Sequence, residues 1–321
     1  MDVLSDMIAA TRVGRPGFGL TVRDAPWGRA YPRVPGAGFH MVMQGSCWLI
    51  PQRSQPIPLS VGDVVLLYGD QGHGLADAPG TPLTETAGPG EPQVIEGPGP
   101  RTTLLCGVYE FERAWSHPML DALPEVVHVP ARLGRHPHLR ATVDLLTAEL
   151  EDRAPGADAA APALLDVLLV QILRAWLAEQ PDGTGWASAL HDPDLAATLG
   201  AIHDDLARQW TVEALAAHAG MSRATFARRF TASAGEPPLA YLTRWRMITA
   251  ARRLREGDAP LSAIAKQVGY GSEYAFAKAF KRLHGTAPGR YRSNPTTSAQ
   301  RGATRPRATL REEHRGDRAA S

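Results

Sequence analysis

The chain has 321 residues, enough for two ordinary domains, with 44% hydrophobic and 21% charged residues. Two cysteines are too few for a secreted disulfide framework, and the acidic start Met1-Asp2-Val3-Leu4-Ser5-Asp6 lacks the basic region of a signal peptide. A net charge of +1 hides an imbalance: residues 1–191 carry 13 Lys and Arg against 21 Asp and Glu, residues 192–293 carry 15 against 9, and residues 294–321 carry 6 against 3, so only the C-terminal half suits a polyanion.

Residues 17–130 predict β-structure. Short apolar runs at 39–43, 47–50, 64–68 and 103–109 are separated by Gly/Pro clusters, the rhythm of a sandwich or barrel. Residues 78–100, rich in Gly and Pro, read as a long mobile loop between strands. The period then becomes helical. Residues 138–152 place Leu139, Val143, Leu146 and Leu150 near one face. Leu164, Leu165, Leu168, Leu169, Ile172, Leu173, Trp176 and Leu177 follow, apolar over more than half the circumference. Such a face either fills a core or is shared with a second subunit, and residues 131–180 are assigned to a helical dimerisation segment. Asp166, Gln171 and Arg174 interrupt the apolar run, so no membrane span is expected. Residues 181–191 read as a linker, residues 192–293 as helices throughout, and residues 294–321 as a disordered tail without apolar period.

Within 192–293 one pattern occurs twice, fifty residues apart. Leu215, Ala216, Ala219, Gly220, Ser222, Phe226, Phe230, Gly235, Pro238 and Tyr241 are matched by Ile264, Ala265, Val268, Gly269, Ser272, Phe276, Phe280, Gly285, Pro288 and Tyr291. A period of this size marks a duplicated supersecondary unit. Each unit starts with a short helix, 212–219 or 262–268. A glycine suited to positive φ follows, then a serine that caps the next helix. Phenylalanines four and eight residues after the cap stay on one face and pack on the preceding helix. This is the helix-turn-helix arrangement, whose second helix enters the DNA major groove.

The outward face carries the chemistry. Positions two before and two after the first phenylalanine lie about 160° away, which exposes Ala224 and Arg228 in one unit and Tyr274 and Lys278 in the other. With the flanking Arg223, Thr225, Ala227, Glu273 and Ala277 these are the candidate base-contacting residues. Arg228 suits guanine O6 and N7, and an alanine suits a thymine methyl. Thr211, Arg229, Arg246, Lys281 and Arg282 are the candidate phosphate contacts. Residues 239–256 predict one long spacer helix, with Tyr241, Leu242, Trp245, Ile248, Ala251 and Leu254 toward the core. It would hold the two reading helices about 34 Å apart, the separation of successive major grooves.

Trp210-Thr211-Val212-Glu213-Ala214-Leu215-Ala216, Gly220-Met221-Ser222-Arg223, Tyr241-Leu242-Thr243-Arg244-Trp245-Arg246-Met247, Val268-Gly269-Tyr270-Gly271-Ser272 and Gly285-Thr286-Ala287-Pro288 resemble the signature of the AraC/XylS family of bacterial transcriptional regulators. The resemblance implies an α+β multidomain protein, with an N-terminal cupin-like β-barrel plus helices and a C-terminal all-α domain holding two helix-turn-helix motifs. Sensor residues 1–130 would precede the dimerisation segment, linker and DNA-binding domain 192–293. The implied role is a cytoplasmic, homodimeric activator that meets double-stranded DNA, RNA polymerase and an unidentified effector, and no membrane.

The sensor half is similar to cupins through Ala25-Pro26-Trp27-Gly28, Gly45-Ser46-Cys47-Trp48, Gly62-Asp63 and His73. Metal-binding cupins use a His-x-His pair and a glutamate with a further histidine. Here the first motif supplies only His40 and the second His73. His40, Cys47, His73 and Cys106 are therefore the candidate sensor residues. They leave open a metal on His40 and His73 with a cysteine, a redox pair of cysteines, or a small organic effector. Two alternatives stand beside the regulator: a cupin metalloenzyme with an appended helical domain, and a module whose repeat binds protein.

Overall fold

A computed structural model describes residues 2–11, 16–34, 36–69, 72–85, 93–111, 117–131, 135–152, 154–180 and 185–293. The expected disordered tail, 294–321, lies outside them. The N-terminal half contains α1 (Val3–Thr11), β1 (Gly17–Asp24), β2 (Gly28–Tyr31), β3 (Gly36–Gln44), β4 (Ser46–Pro51), β5 (Ile57–Ser60), β6 (Val64–Tyr68) and β7 (His73–Ala76). It continues through β8 (Thr84–Glu85), β9 (Gln93–Ile95), β10 (Arg101–Glu110), α2 (Pro118–Asp121), β11 (Val126–Val129), α3 (Pro137–Asp152) and α4 (Ala157–Glu179). The C-terminal half is helical: α5 (Gly185–His191), α6 (Pro193–Asp204), α7 (Val212–His218), α8 (Arg223–Ala234), α9 (Pro238–Glu256), α10 (Leu261–Gln267), α11 (Glu273–His284) and α12 (Pro288–Arg292).

The strands form a six-stranded sheet, β11-β6-β3-β10-β1-β9, and a five-stranded sheet, β5-β4-β7-β2-β8. Among the described residues only the edge pairs β1–β9 and β2–β8 are parallel. The central strands of the larger sheet are apolar on both faces because both faces are covered. Phe39, Met41, Val64, Leu66, Leu105 and Tyr109 meet α1, α3 and α4. The alternate residues Val42, Val65, Leu104 and Cys106 meet Trp27, Cys47, Leu49, Leu59 and Leu75, most of them from the smaller sheet. The period of two thus separates two cores.

By length and composition α4 could cross a membrane, yet half of its most apolar window is buried inside the fold. Its Leu165 carbonyl accepts the Tyr109 hydroxyl at 2.6 Å, which ties it to β10 as a core helix.

Two expectations need correction. Within the predicted loop 78–100, β8 and β9 add a strand to an edge of each sheet, because Arg29 and Thr84 bond at 2.7 Å and Val94 pairs with Val22. Within the predicted linker, residues 185–191 form α5. The turn-forming residues end at Gly185, and Trp186, Ala187 and Ala189 then bury one face against the DNA-binding half.

The first helix-turn-helix unit belongs to the same core as the sensor half, through Leu215, Phe226, Phe230, Tyr241 and Trp245. The second unit has a core of its own, built on Ile264, Val268, Phe276 and Phe280 with Met247, Ala251 and Leu254 of α9.

Candidate nucleic-acid interface and sensor core

Both units fold through the predicted local devices. Thr211 caps α7 by accepting the Ala214 N–H at 3.1 Å. Ser222 caps α8 by accepting from Thr225 N at 3.2 Å, and Ser272 caps α11 by accepting from Ala275 N at 3.2 Å. Each cap supplies an acceptor to an N–H that the helix leaves unpaired. The turn glycines have φ of +63° at Gly220 and +79° at Gly269, where a side chain would be strained. Phe226 and Phe230 meet at a tilt with ring centres 5.5 Å apart, and Phe276 and Phe280 at 5.7 Å, all buried. The long helix α9 buries Tyr241, Leu242, Trp245, Ile248, Ala251 and Leu254.

The buried phenylalanines turn the opposite faces outward. Arg223, Ala224 and Arg228 are exposed on α8, with Thr225 and Ala227 at its margins. On α11, Glu273, Tyr274 and Lys278 are exposed and Ala277 is marginal. Tyr274 is 78% exposed, an unusual position for an aromatic ring. Arg223 pairs with Glu213 at 2.7 Å across the first turn.

The phosphate candidates divide. Thr211, Lys281 and Arg282 are exposed. Arg229 is ion-paired with Asp192, the N-cap of α6. Arg246 is partly buried. Its Nε donates to the Leu206 carbonyl at 3.0 Å and its Nη2 to the Arg208 carbonyl at 2.8 Å. The same guanidinium lies 6.0 Å from the Tyr270 ring centre, and burial lowers its pKa. A Cβ on Gly269 would sit 2.6 Å from the Leu206 carbonyl oxygen, so glycine is required there for close approach of backbone as well as for its φ. Arg246 therefore joins the α6–α7 turn to the second unit's turn, with its guanidinium engaged by two backbone carbonyls.

In the sensor half, β3 and β7 bring His40 and His73 together between the sheets, with Nε2 atoms 2.6 Å apart. Tyr31 stacks on His73 at 5.1 Å. The Arg23 guanidinium is fully buried, lies over Trp27 at 4.9 Å and donates to the Tyr31 hydroxyl at 2.9 Å. Burial, with His73 and Arg23 nearby, holds His40 well below the usual imidazole range, and burial lowers His73 to about 4. Both rings are neutral at pH 7, one donating and one accepting. Among the described residues, Nδ1 of His40 is buried without a hydrogen-bond partner.

The cysteines share this core and are free. Burial pushes the Cys47 thiol up to about 12 and also raises Cys106, so neither is a ready thiolate. Among the described residues no group of three His, Cys, Asp or Glu could hold a metal ion. The residues therefore do not fit the metal that the cupin resemblance implies, since two imidazoles fall short of a three-ligand site.

A family described as Cupin matches residues 2–178, and one described as Helix-turn-helix domain matches residues 215–294. An AraC-like transcription regulator of Streptomyces antibioticus is 38% identical over 304 residues, covering 92% of this chain and 99% of that protein. The chain belongs to the AraC-like transcription regulators. Another relative, the RCS-specific HTH-type transcriptional activator RclR of Escherichia coli strain K12, is 30% identical over 79% of this chain and 83% of its own length. Among solved structures, the DNA-binding domain of AdpA in complex with a target DNA is 34% identical, with a TM-score of 0.32, over 35% of this chain and 99% of that one.

This AraC-like chain is thus a DNA-binding transcription regulator, and the metalloenzyme alternative is set aside. Sequence reading missed Arg23 and Tyr31. A signal existed in Leu20-Thr21-Val22-Arg23, where alternation puts Thr21 and Arg23 on the face shared with His40.

Proposed function

We propose that this regulator reads an asymmetric DNA site with two unlike helices on one spacer. The carrying observation is that α8 and α11 share capping and core but present different outward residues, Ala224 and Arg228 against Tyr274 and Lys278. Arg223, Thr225, Ala227, Glu273 and Ala277 complete the base-facing set. Thr211, Lys281 and Arg282 meet phosphates, joined by Arg229 if DNA displaces Asp192. Selection of DNA by the purified full chain, followed by a salt titration, tests this. A site of two unlike halves whose affinity falls steeply with salt is expected. Binding indifferent to sequence and salt contradicts it and favours a protein-binding role for the repeat.

The sensor half, residues 1–130, takes a small organic effector between its sheets, at Tyr31, His40 and His73, where the free Nδ1 of His40 offers an unfilled polar contact. Residues 131–180 join two copies in the cytoplasm, and exposed Leu145 on α3 and Val167 on α4 support such a face. Activation through RNA polymerase agrees with RclR being an activator. Native mass spectrometry of the full chain checks the effector. A bound organic molecule lost in His40→Ala is expected, whereas a metal adduct or a Cys47–Cys106 disulfide overturns this reading.

A further inference from the structure

Outside both sites, four polar side chains from four elements meet in the core that joins the two halves of the molecule. His117 precedes α2 and Asp6 lies on α1, both in the sensor half. His203 lies on α6 and Tyr241 on α9, both in the DNA-binding half. His117 and Tyr241 are fully buried, and His203 and Asp6 are 8% exposed.

The hydrogen bonds allow only one direction of donation. The Met119 N–H donates to Nδ1 of His117 at 3.2 Å, so the proton of a neutral His117 resides on Nε2. That Nε2 lies 3.0 Å from the Tyr241 hydroxyl oxygen and donates to it. The Tyr241 O–H is then directed at Nε2 of His203, 2.6 Å away. His203 therefore carries its own proton on Nδ1, which faces Asp6 Oδ2 at 3.2 Å. The relay starts in the sensor half, crosses α9 and α6, and returns to the sensor half. Trp186 packs on His117 at 4.8 Å and Trp245 stacks on His203 at 4.2 Å, which keeps the relay dry.

We infer that this relay is an acid-sensitive latch that holds the first helix-turn-helix unit against the sensor half. Two links need a neutral imidazole, Met119 N–H to His117 Nδ1 and Tyr241 O–H to His203 Nε2. A proton added to Nδ1 of His117 meets the Met119 N–H, and one added to Nε2 of His203 meets the Tyr241 O–H. The first leaves two donors facing each other, and the second leaves the Tyr241 O–H without its acceptor, in a buried site where an unmade hydrogen bond is costly.

The surrounding charges fit that role. Arg244 of α9 faces His117 and is itself paired with Asp121 at 3.4 Å and Glu236 at 3.2 Å. Asp6 and Asp204 face His203 and favour its charged form, while burial opposes it more strongly. Glu236 and Asp6 face Tyr241. Burial, then His203 and Arg244, lowers His117 far below the usual imidazole range. The latched state thus binds fewer protons than the open one. Docking is complete above about pH 6.5 and is lost as pH falls below it.

The test uses the full chain. Nitrogen-15 imidazole spectra at pH 7.5 are expected to show His117 protonated on Nε2 and His203 on Nδ1, and the opposite tautomer at either overturns the relay. Small-angle scattering is expected to give a larger radius of gyration at pH 5.5 than at pH 8, with helical content by circular dichroism unchanged. Tyr241→Phe keeps the ring and removes the central hydroxyl. It is expected to be expanded already at pH 8 and to respond less to acid. Equal compactness at both pH values in the wild type, or an unaltered acid response in Tyr241→Phe, overturns the latch. His117→Gln cannot titrate and is expected to blunt the acid response even if Tyr241→Phe fails to fold.

Discussion

The two helix-turn-helix units share a buried pattern and differ in what surrounds it. Phe230 meets Tyr241 edge-to-face at 5.6 Å, and Phe280 meets Tyr291 at 5.3 Å, so the repeated tyrosine packs the same way in both. Yet the Tyr241 hydroxyl is held by His117 and His203 in a core continuous with the sensor half. The Tyr291 hydroxyl accepts from Arg255 at 2.9 Å, at the margin of a separate core. Duplication preserved the residues that make a unit fold. The first copy shares its core with the N-terminal half, while Arg255, which holds the Tyr291 hydroxyl of the second, also donates to the Ala10 carbonyl at 3.2 Å. Under the proposed sensor role, a signal in the N-terminal half would reach the first unit more directly than the second.

The largest expected effects come from cutting each core. Phe226→Ala and Phe276→Ala each remove a fully buried ring, a change that costs about 3–5 kcal/mol. Denaturation followed by NMR is expected to show Phe226→Ala lowering the first unit and the sensor half together. Phe276→Ala is expected to melt α10–α12 and leave the rest folded. A single shared transition in both variants breaks the comparison.

Arg228→Ala comes next, at about 1–3 kcal/mol on the selected site with relaxed preference in one half, measured by fluorescence anisotropy. Equal loss on every sequence would assign Arg228 to phosphate instead. Arg246→Met keeps the stem and leaves the Leu206 and Arg208 carbonyls without their donor, at about 1–3 kcal/mol of stability. It is also expected to relax the dependence of affinity on the spacing between half-sites, checked with DNA of altered spacing. The smallest effect belongs to Lys281→Ala, which should lower the salt slope of binding by about 1 and spare sequence preference.

How far the sequence reaches differs between the halves for a physical reason. Caps, turn glycines and phenylalanine spacing are local devices, so Ser222, Ser272, Gly220 and Gly269 announce themselves along the chain. The sensor core depends on strands far apart in sequence, and only pairing such as Cys106 opposite His40 brings its members together. His40 and His73 were legible as residue types, while Arg23 reads as an ordinary strand arginine until the sheets close over it. The contacts of α1 and α5 with the DNA-binding half were not legible, because an apolar face does not name its partner. The carbonyl contacts of Arg246 are hidden along the chain for a similar reason, because spacing does not show which cations the fold engages.

The central claim is that one chain reads two unlike half-sites. The most direct measurement is DNA selection with the full-length wild type, Arg228→Ala and Tyr274→Ala side by side. Each variant is predicted to erase base preference in a different half of one asymmetric site, the halves about one helical turn apart. Loss in the same half for both variants, or two identical halves in the wild type, would contradict the account.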